Sequence, residues 1–324
     1  MNIRLPAAIA MSVVVLLGNP TAQSQTYPAK PVRLIVPFTP GGGTDVAARI
    51  IAPRLSERLG QQVFVDNRPG AAGSIGTDAT VKSAPDGYTL LVGSTSEIGI
   101  SPSLYSKLPY DVLRDLVAVA PLASTPMVLV VPPSLPVKSA RDLVKLALAR
   151  PGEINFASAG AGTGNHMWSE LFRHLTKTNI VHVPYKGAAP AQADVMGGQV
   201  QMMFTTLPAA MPFVKAGRLK ALAVSSAQRA PTMPEIPTMA ESGVAGFEVV
   251  YWYGFFAPAA TPKDIVARIY SDTAAVLRLP EIAGSLSNQG LLPLSNSQEE
   301  FVAFIRSEIE KWAVVVKASG ARVD

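Results

Sequence analysis

The spacing of apolar residues in this chain alternates between two periods. Val32 to Val36 is a β-branched run, Ala47, Ile50, Ile51, Leu55 and Leu59 recur at helical spacing, and Val63 to Val65 returns to a strand-like run. That order is a βαβ unit and predicts a mostly parallel sheet. Thr89 to Val92 adds a strand after the turn Pro85-Asp86-Gly87, and Met127 to Val131 is an apolar run closed by Pro132-Pro133. There the pattern begins again. Ser139 and Asp142 form a capping-box-like start to a helix that reaches Ala149 and is stopped by Pro151-Gly152. Ile154 to Ala157, Ile180 to Val183, Met202 to Phe204 and Leu219 to Val224 read as strands of a second sheet, with helices between them. Val249 to Phe256 is a long aromatic strand placed to cross back to the first sheet, and Pro262 to Val323 carries two or three helices.

The expected fold is α/β in two lobes, each a mostly parallel sheet flanked by helices. Lobe 1 is expected at 25–125 plus 250–324 and lobe 2 at 126–249, so two crossover strands form a hinge. Pro53 falls inside the first helix, where it removes a backbone bond and predicts a kink.

The first residues depart from this pattern. Arg4, the apolar stretch Ala7 to Leu17 and the small residues Ala22-Gln23-Ser24 read as an export signal over 1–24, with the mature chain starting near Gln25. Ser12 and Gly18-Asn19-Pro20 interrupt the apolar stretch, which falls short of the about 20 residues a membrane span needs. Beyond it, 27 basic and 23 acidic side chains are spread evenly, with no basic stripe and no interleaved aromatic platform, so nucleic-acid binding is not expected. The absence of cysteine excludes disulfides, thiolate metal sites, a cysteine nucleophile and a lipid-anchored cysteine.

Two glycine-rich loops stand where a strand runs into a helix, one in each lobe. The first includes Phe38, Thr39, Gly41, Gly42, Gly43, Thr44 and Asp45; the second runs from Ser158 through Gly162 and Thr163 to His166. Glycines let backbone N–H groups approach a ligand, and the first turn of a helix adds unpaired N–H groups and a positive dipole end. Such loops attract anions. Neither contains Lys or Arg, so recognition is expected through amides and hydroxyls. The alternative for each loop is local: the glycines turn the chain, and Thr44 or Asp45 caps its helix.

Other motifs are incomplete. Gly160, Gly162 and Asn165 approach a dinucleotide fingerprint that lacks its third glycine and its acidic partner, so no cofactor is expected. His166 and Glu170 stand one helical turn apart, but His174 and His182 are not spaced to complete a metal site. His166 is expected to line the cleft or to bond its own loop. Ser94, Thr95, Ser96 and Glu97 follow a strand without the glycine-serine-glycine elbow of a hydrolase.

The segments PVRLIVPFTPGGGTDVAAR, VDNRPGAAGSIG, PDGYTLL, SAGAGTGNH, VPYKGAAPA, MGGQVQMMF, AGRLKALAVSS and YWYGFFAPAATP occur in that order. Together they resemble the Bug-type receptors of tripartite tricarboxylate transporters over nearly all of the chain beyond residue 24. The resemblance implies a type II periplasmic binding fold in which a carboxylate is held between the two loops by backbone N–H groups and ordered water. It further implies that Gly70 to Gly76, with Ala72, and the strand end at Ser94 face the cleft from lobe 1. Tyr185 to Gly187 and Thr205 would face it from lobe 2, and Asp45 would order a water or meet an amino group. It also implies a soluble, monomeric periplasmic protein without cofactor or metal, not an enzyme, that serves membrane permease subunits. Glu97, Ser101 and Thr205 depart from residues that relatives often carry there, and this leaves the ligand open. A secreted hydrolase, a regulator's effector domain and a ligand sensor without transport are the competing readings.

Overall fold

A computed structural model describes residues 27–321 and 323, so the export-signal reading of 1–24 lies outside the described residues. The first part of the chain forms β1 (Val32–Val36), α1 (Gly43–Leu59), β2 (Val63–Asn67), α2 (Ser74–Val81), β3 (Thr89–Ser94), α3 (Ser101–Leu104) and α4 (Val112–Asp115). Next come β4 (Leu116–Val131), α5 (Ala140–Ala149), β5 (Ile154–Ser158), α6 (Gly164–Thr176), β6 (Ile180–Pro184), α7 (Ala188–Met196), β7 (Met202–Thr206), α8 (Leu207–Lys215) and β8 (Lys220–Val224). The chain ends with β9 (Val250–Pro258), α9 (Lys263–Leu277), α10 (Pro280–Asn288), β10 (Leu292–Pro293) and α11 (Gln298–Ser319).

Two groups of parallel strands, β2-β1-β3 and β6-β5-β7, carry the expected βαβ units. Around them β4, β8, β9 and β10 pair antiparallel, so each sheet is mixed. Of these four only β4 pairs in both sheets; β9 and β10 pair in the first and β8 in the second.

Strand β4 serves both sheets. Leu116 to Pro126 pairs with β9, and from Met127 onward the strand pairs with β7 and β8. Sixteen residues at about 3.3 Å each reach on the order of 50 Å, enough to run through both sheets. Apolar periodicity marks only the half after Met127. Pro121 and Pro126 interrupt the first half and normally argue against a central strand. Register shifts beside Ala118 to Ala120 and Pro121 to Ala123 accommodate that half.

Val32, Leu34, Val36, Ile51, Leu55 and Leu90 fill the layer between the first sheet and α1, while Phe156, Trp168, Phe172 and Phe204 fill the corresponding layer of the second. Helix α11 joins the two. Its Trp312 packs on Gly99 and lies tilted against Trp168 of α6, with ring centroids 4.7 Å apart.

Candidate functional site

Successive residues of a strand alternate sides, so Tyr251 and Tyr253 of β9 share one face. Each closes on the first residue of a helix. The Tyr253 hydroxyl occupies the place where a side chain on Gly43, at the start of α1, would go. A Cβ on Gly164, at the start of α6, would lie 2.6 Å from the Tyr251 ring. Strand β9 thereby draws two helix starts, distant in sequence, onto a single cavity of about 610 Å³.

The N-cap residues of these helices, Gly42 and Thr163, make no side-chain cap. The same holds for Gly187 before α7 and Thr206 before α8, which also line the cavity. Four helix starts therefore converge with first-turn N–H groups that no N-cap side chain satisfies and with partial positive charge, a field that favours an anion. The fifth wall is the turn Gly70 to Gly73, whose φ values of 136, 46, 51 and 97° are all positive. Ala71 and Ala72 are not glycine, so this wall is locally strained, at about 1–3 kcal/mol per residue.

The two glycine loops are built alike. Asp45 Oδ2 accepts the Gly41 N–H at 3.0 Å, and His166 Nδ1 accepts the Gly162 N–H at 3.2 Å. In each case the third residue of the helix reaches back four positions to a glycine with φ near +80°, at 85° for Gly41 and 82° for Gly162. Both side chains face the loop rather than the cavity, so Asp45, Gly41, Gly162 and His166 shape the cradle from behind.

Asp45 has no free oxygen for a ligand. Besides Gly41 it accepts from Arg49 Nε at 2.9 Å and Asn67 Nδ2 at 2.9 Å, and Asn67 also ties down the Phe38 carbonyl. Burial by itself would raise its pKa, but the bonds from Arg49, Gly41 and Asn67 outweigh it and hold the carboxyl below its ordinary value. The water-ordering or amine-binding role expected for Asp45 is replaced by this structural one.

His166 stacks on His182 at 4.0 Å, and His182 in turn stacks on Phe156 at 4.8 Å. Burial, assisted by His182 and Arg173, pushes the His166 pKa down to about 3, and burial takes His182 down to about 4. His182 Nε2 stands 2.6 Å from Ser158 Oγ, a pairing that resembles a nucleophile and its base. Ser158 is buried, accepts the Gly160 N–H and does not line the cavity, and a base with pKa near 4 is a weak one at neutral pH. The pair holds the second loop.

Of the remaining expected site residues, Phe38, Thr39, Gly42, Gly43, Thr44, Ala72, Thr163, Tyr185 and Thr205 line the cavity. Thr39 lies against Gly187 across the cleft. Tyr185 forms a wall whose hydroxyl donates to Asp194 at 2.6 Å; burial first and Asp194 second push it up to about 12. Thr205 is buried and accepts from Gln192 at a long 3.4 Å. Ser94 stands one layer back, bonded to Glu97 and Tyr251. Among the described residues no cluster of three His, Cys, Asp or Glu side chains could hold a metal.

Several cavity residues were not among the binding residues expected from sequence. Ser96, Tyr251, Tyr253 and Thr206 all line it. Tyr253 OH and Thr206 Oγ1 are buried without a protein hydrogen-bond partner, which leaves both able to bond a ligand. Lys186 is the one cation of the lining among the described residues, and its side chain is exposed. The strand-like alternation Tyr251, Tyr253 was legible, but which face met the cleft was not.

The profile of the tripartite tricarboxylate transporter family receptor matches residues 47–321. The chain belongs to that family. Protein BugT of Bordetella pertussis is 40% identical over 321 residues, spanning 99% of this chain and 98% of BugT. A solved R. palustris protein with adipate superposes with a TM-score of 0.88 at 38% identity, covering 92% of this chain and 100% of that one. MatC from Rhodopseudomonas palustris with bound malate gives 0.85 at 31% identity, covering 90% of this chain and 100% of MatC. The fold is the two-domain α/β periplasmic binding fold, and the family is one of solute-binding receptors. Among the described residues no helix is long and apolar enough to cross a membrane.

Proposed function

We propose that this receptor captures a small carboxylate between lobes at about 25–125 plus 250–324 and 126–249, and presents the closed form to permease subunits of a tripartite transporter. The observation that carries the reading is the convergence of uncapped helix starts at Gly42, Thr163, Gly187 and Thr206 on one cavity. Backbone N–H groups there match carboxylate oxygens, and the relatives solved with adipate and malate support an acid as ligand. Phe38, Thr39, Gly42, Gly43, Thr44, Ala72, Thr163, Tyr185 and Thr205 form the contact set, and Gly41, Asp45, Ser94, Ser158, Gly162 and His166 support it. Binding and release, without turnover, is the activity, and export by residues 1–24 puts the protein in the periplasm. A thermal-shift panel of di- and tricarboxylates, aromatic acids and amino acids tests the reading. A matching acid at a hundredfold excess over its Kd stabilises by about 2.7 kcal/mol. No shift across the panel would overturn it.

A further inference from the structure

Glu97 is fully buried, in the wide helical turn Thr95–Ile100 that follows β3. Its carboxyl stands directly behind the cavity wall: a Cβ on Gly73, which lines the cavity, would lie 3.1 Å from Oε2. From it runs an unbroken chain of hydroxyls. Glu97 Oε2 is 2.7 Å from Ser94 Oγ, Ser94 Oγ is 2.8 Å from Tyr251 OH, and Tyr251 OH is 2.7 Å from Ser96 Oγ. Ser96 Oγ accepts the Gly164 N–H at 2.9 Å, at the start of α6 in the opposite half of the cleft. Tyr251 and Ser96 both line the cavity.

A hydroxyl donates one proton, so the chain has two consistent directions. With Glu97 ionised, Ser94 donates to it, Tyr251 donates to Ser94 and Ser96 donates to Tyr251. Ser96 then shows the cavity only lone pairs, which repel an anion. With Glu97 protonated, every bond reverses: Glu97 donates to Ser94, Ser94 to Tyr251 and Tyr251 to Ser96. The Ser96 proton is then released toward the cavity, while its oxygen keeps the bonds from Gly164 and Tyr251.

We propose that Glu97 is the positioning group that sets the direction of this chain, so that a carboxylate binds the form with Glu97 protonated and, where Glu97 is ionised in the free protein, enters the cavity together with one proton taken from solvent. The proposal rests on the carboxylate-receptor reading and adds the proton as co-ligand. The surroundings of Glu97 favour the protonated state. Strand β3, the turn Gly70 to Gly73 and α3 bring no titratable side chain to it, β9 brings Tyr251 and Tyr253, and Tyr110 donates to its backbone carbonyl. The charged groups on the neighbouring helices are paired elsewhere, Glu170 with Arg173 on α6 and Glu308 with Lys311 on α11, and His166 of α6 bonds its own loop. Burial therefore acts on Glu97 without a cation to oppose it, and pushes its pKa up to about 8 even against the bonds from Ser94 and from backbone N–H groups.

The test is calorimetric titration of the mature protein with adipate and with malate at pH 6, 7, 8 and 9, each in two buffers of different ionisation enthalpy. Neither acid titrates above pH 7. Wild type is expected to take up nearly no proton at pH 7 and close to one at pH 9, with affinity falling toward tenfold per pH unit above the Glu97 pKa. Glu97→Gln, fixed as a donor, and Tyr251→Phe, which cuts the chain and leaves Glu97 in place, should each flatten the pH profile and abolish the uptake. A purely structural role for either residue would lower affinity equally at all pH values. Binding of either acid without proton uptake at pH 9 overturns this proposal and leaves the receptor reading intact. Binding of neither at any pH overturns the proposal and counts against the receptor reading as well. A ligand-free measurement stands beside these: an infrared carbonyl band of a protonated carboxyl at pH 7, absent in Glu97→Gln and lost at pH 10. Its absence in wild type also overturns the proposal.

Discussion

The Tyr253 hydroxyl fills the space in front of Gly43 that a side chain would occupy, with Thr206 Oγ1 beside it. The contact explains why α1 begins with glycine, and it leaves a buried hydroxyl without a protein partner on a residue that lines the cavity. Gly43→Ala should therefore destabilise the protein by about 1–3 kcal/mol through overpacking and remove most ligand affinity. Tyr253→Phe in the same chain makes room for the methyl group. The check is urea denaturation of the single and double variants; equal loss in both would show that the hydroxyl is not the obstacle.

Tyr253→Phe alone separates stability from binding. The hydroxyl is buried without a protein partner, so its removal should leave the ligand-free protein unchanged or up to about 1 kcal/mol more stable. A hydrogen bond to a charged ligand is worth about 1.5–3 kcal/mol, so Kd should rise about tenfold or more. Thermal melts with and without a bound acid measure both effects.

Asp45→Ala leaves the Gly41 N–H, Asn67 and Arg49 without their acceptor. Arg49 is half exposed and finds water, which lowers the cost to about 1–3 kcal/mol of stability. Affinity should fall as well, because the first loop loses its anchor, although Asp45 touches no ligand. Hydrogen exchange at Gly41 would report the loosened loop; a change confined to ligand contacts would contradict this role.

Stability should depend on pH through groups of opposite sign, the buried pair His166 and His182 on one side and Glu97 on the other. His166 has its folded pKa pushed down to about 3, so below 6.5 the unfolded chain takes up a proton that the fold refuses. Its contribution is intact above pH 6.5 and shrinks by up to about 1.4 kcal/mol per unit as pH falls from there toward 3. Glu97 has its folded pKa pushed up to about 8, so its contribution is intact below 4.5 and shrinks as pH rises toward 8. Glu97→Gln should remove the alkaline loss and keep the acid one, as read from urea midpoints between pH 4 and 9.

Salt should matter little. The lining contains Lys186, exposed at the rim, and otherwise relies on amides and hydroxyls. Raising salt from 0.05 to 0.5 M is expected to change Kd by less than about threefold, and calorimetry at the two concentrations measures it. A steep loss would assign the binding energy to Lys186.

Apolar periodicity located the strands β1, β2, β3, β5, β6, β7 and β8 and the long aromatic strand β9, because each is marked by a local run of β-branched, apolar or aromatic residues. It missed the first half of β4, where Pro121 and Pro126 mask a strand held by pairing along β9. The two glycine loops were legible as anion-seeking turns, since glycine content and position before a helix are local properties. The division of labour within them was not. For Asp45 and His166 the sequence left a ligand contact and a local bond both open, and their bonds to Gly41 and Gly162 decide for the local one.

The chain order by itself determined the alternation of strands and helices, the pair of cation-free glycine loops and the family. Backbone propensity, apolar period and motif order act over a few residues and need no distant partner. The tertiary structure decided what meets across the cleft: Tyr251 and Tyr253 set against Gly164 and Gly43, and Glu97 buried behind Gly73 at the end of a hydroxyl chain. Those relations depend on which face of β9 turns inward and on how the two sheets share β4. They join residues 24 to 210 positions apart in the chain, and packing alone sets which of them meet.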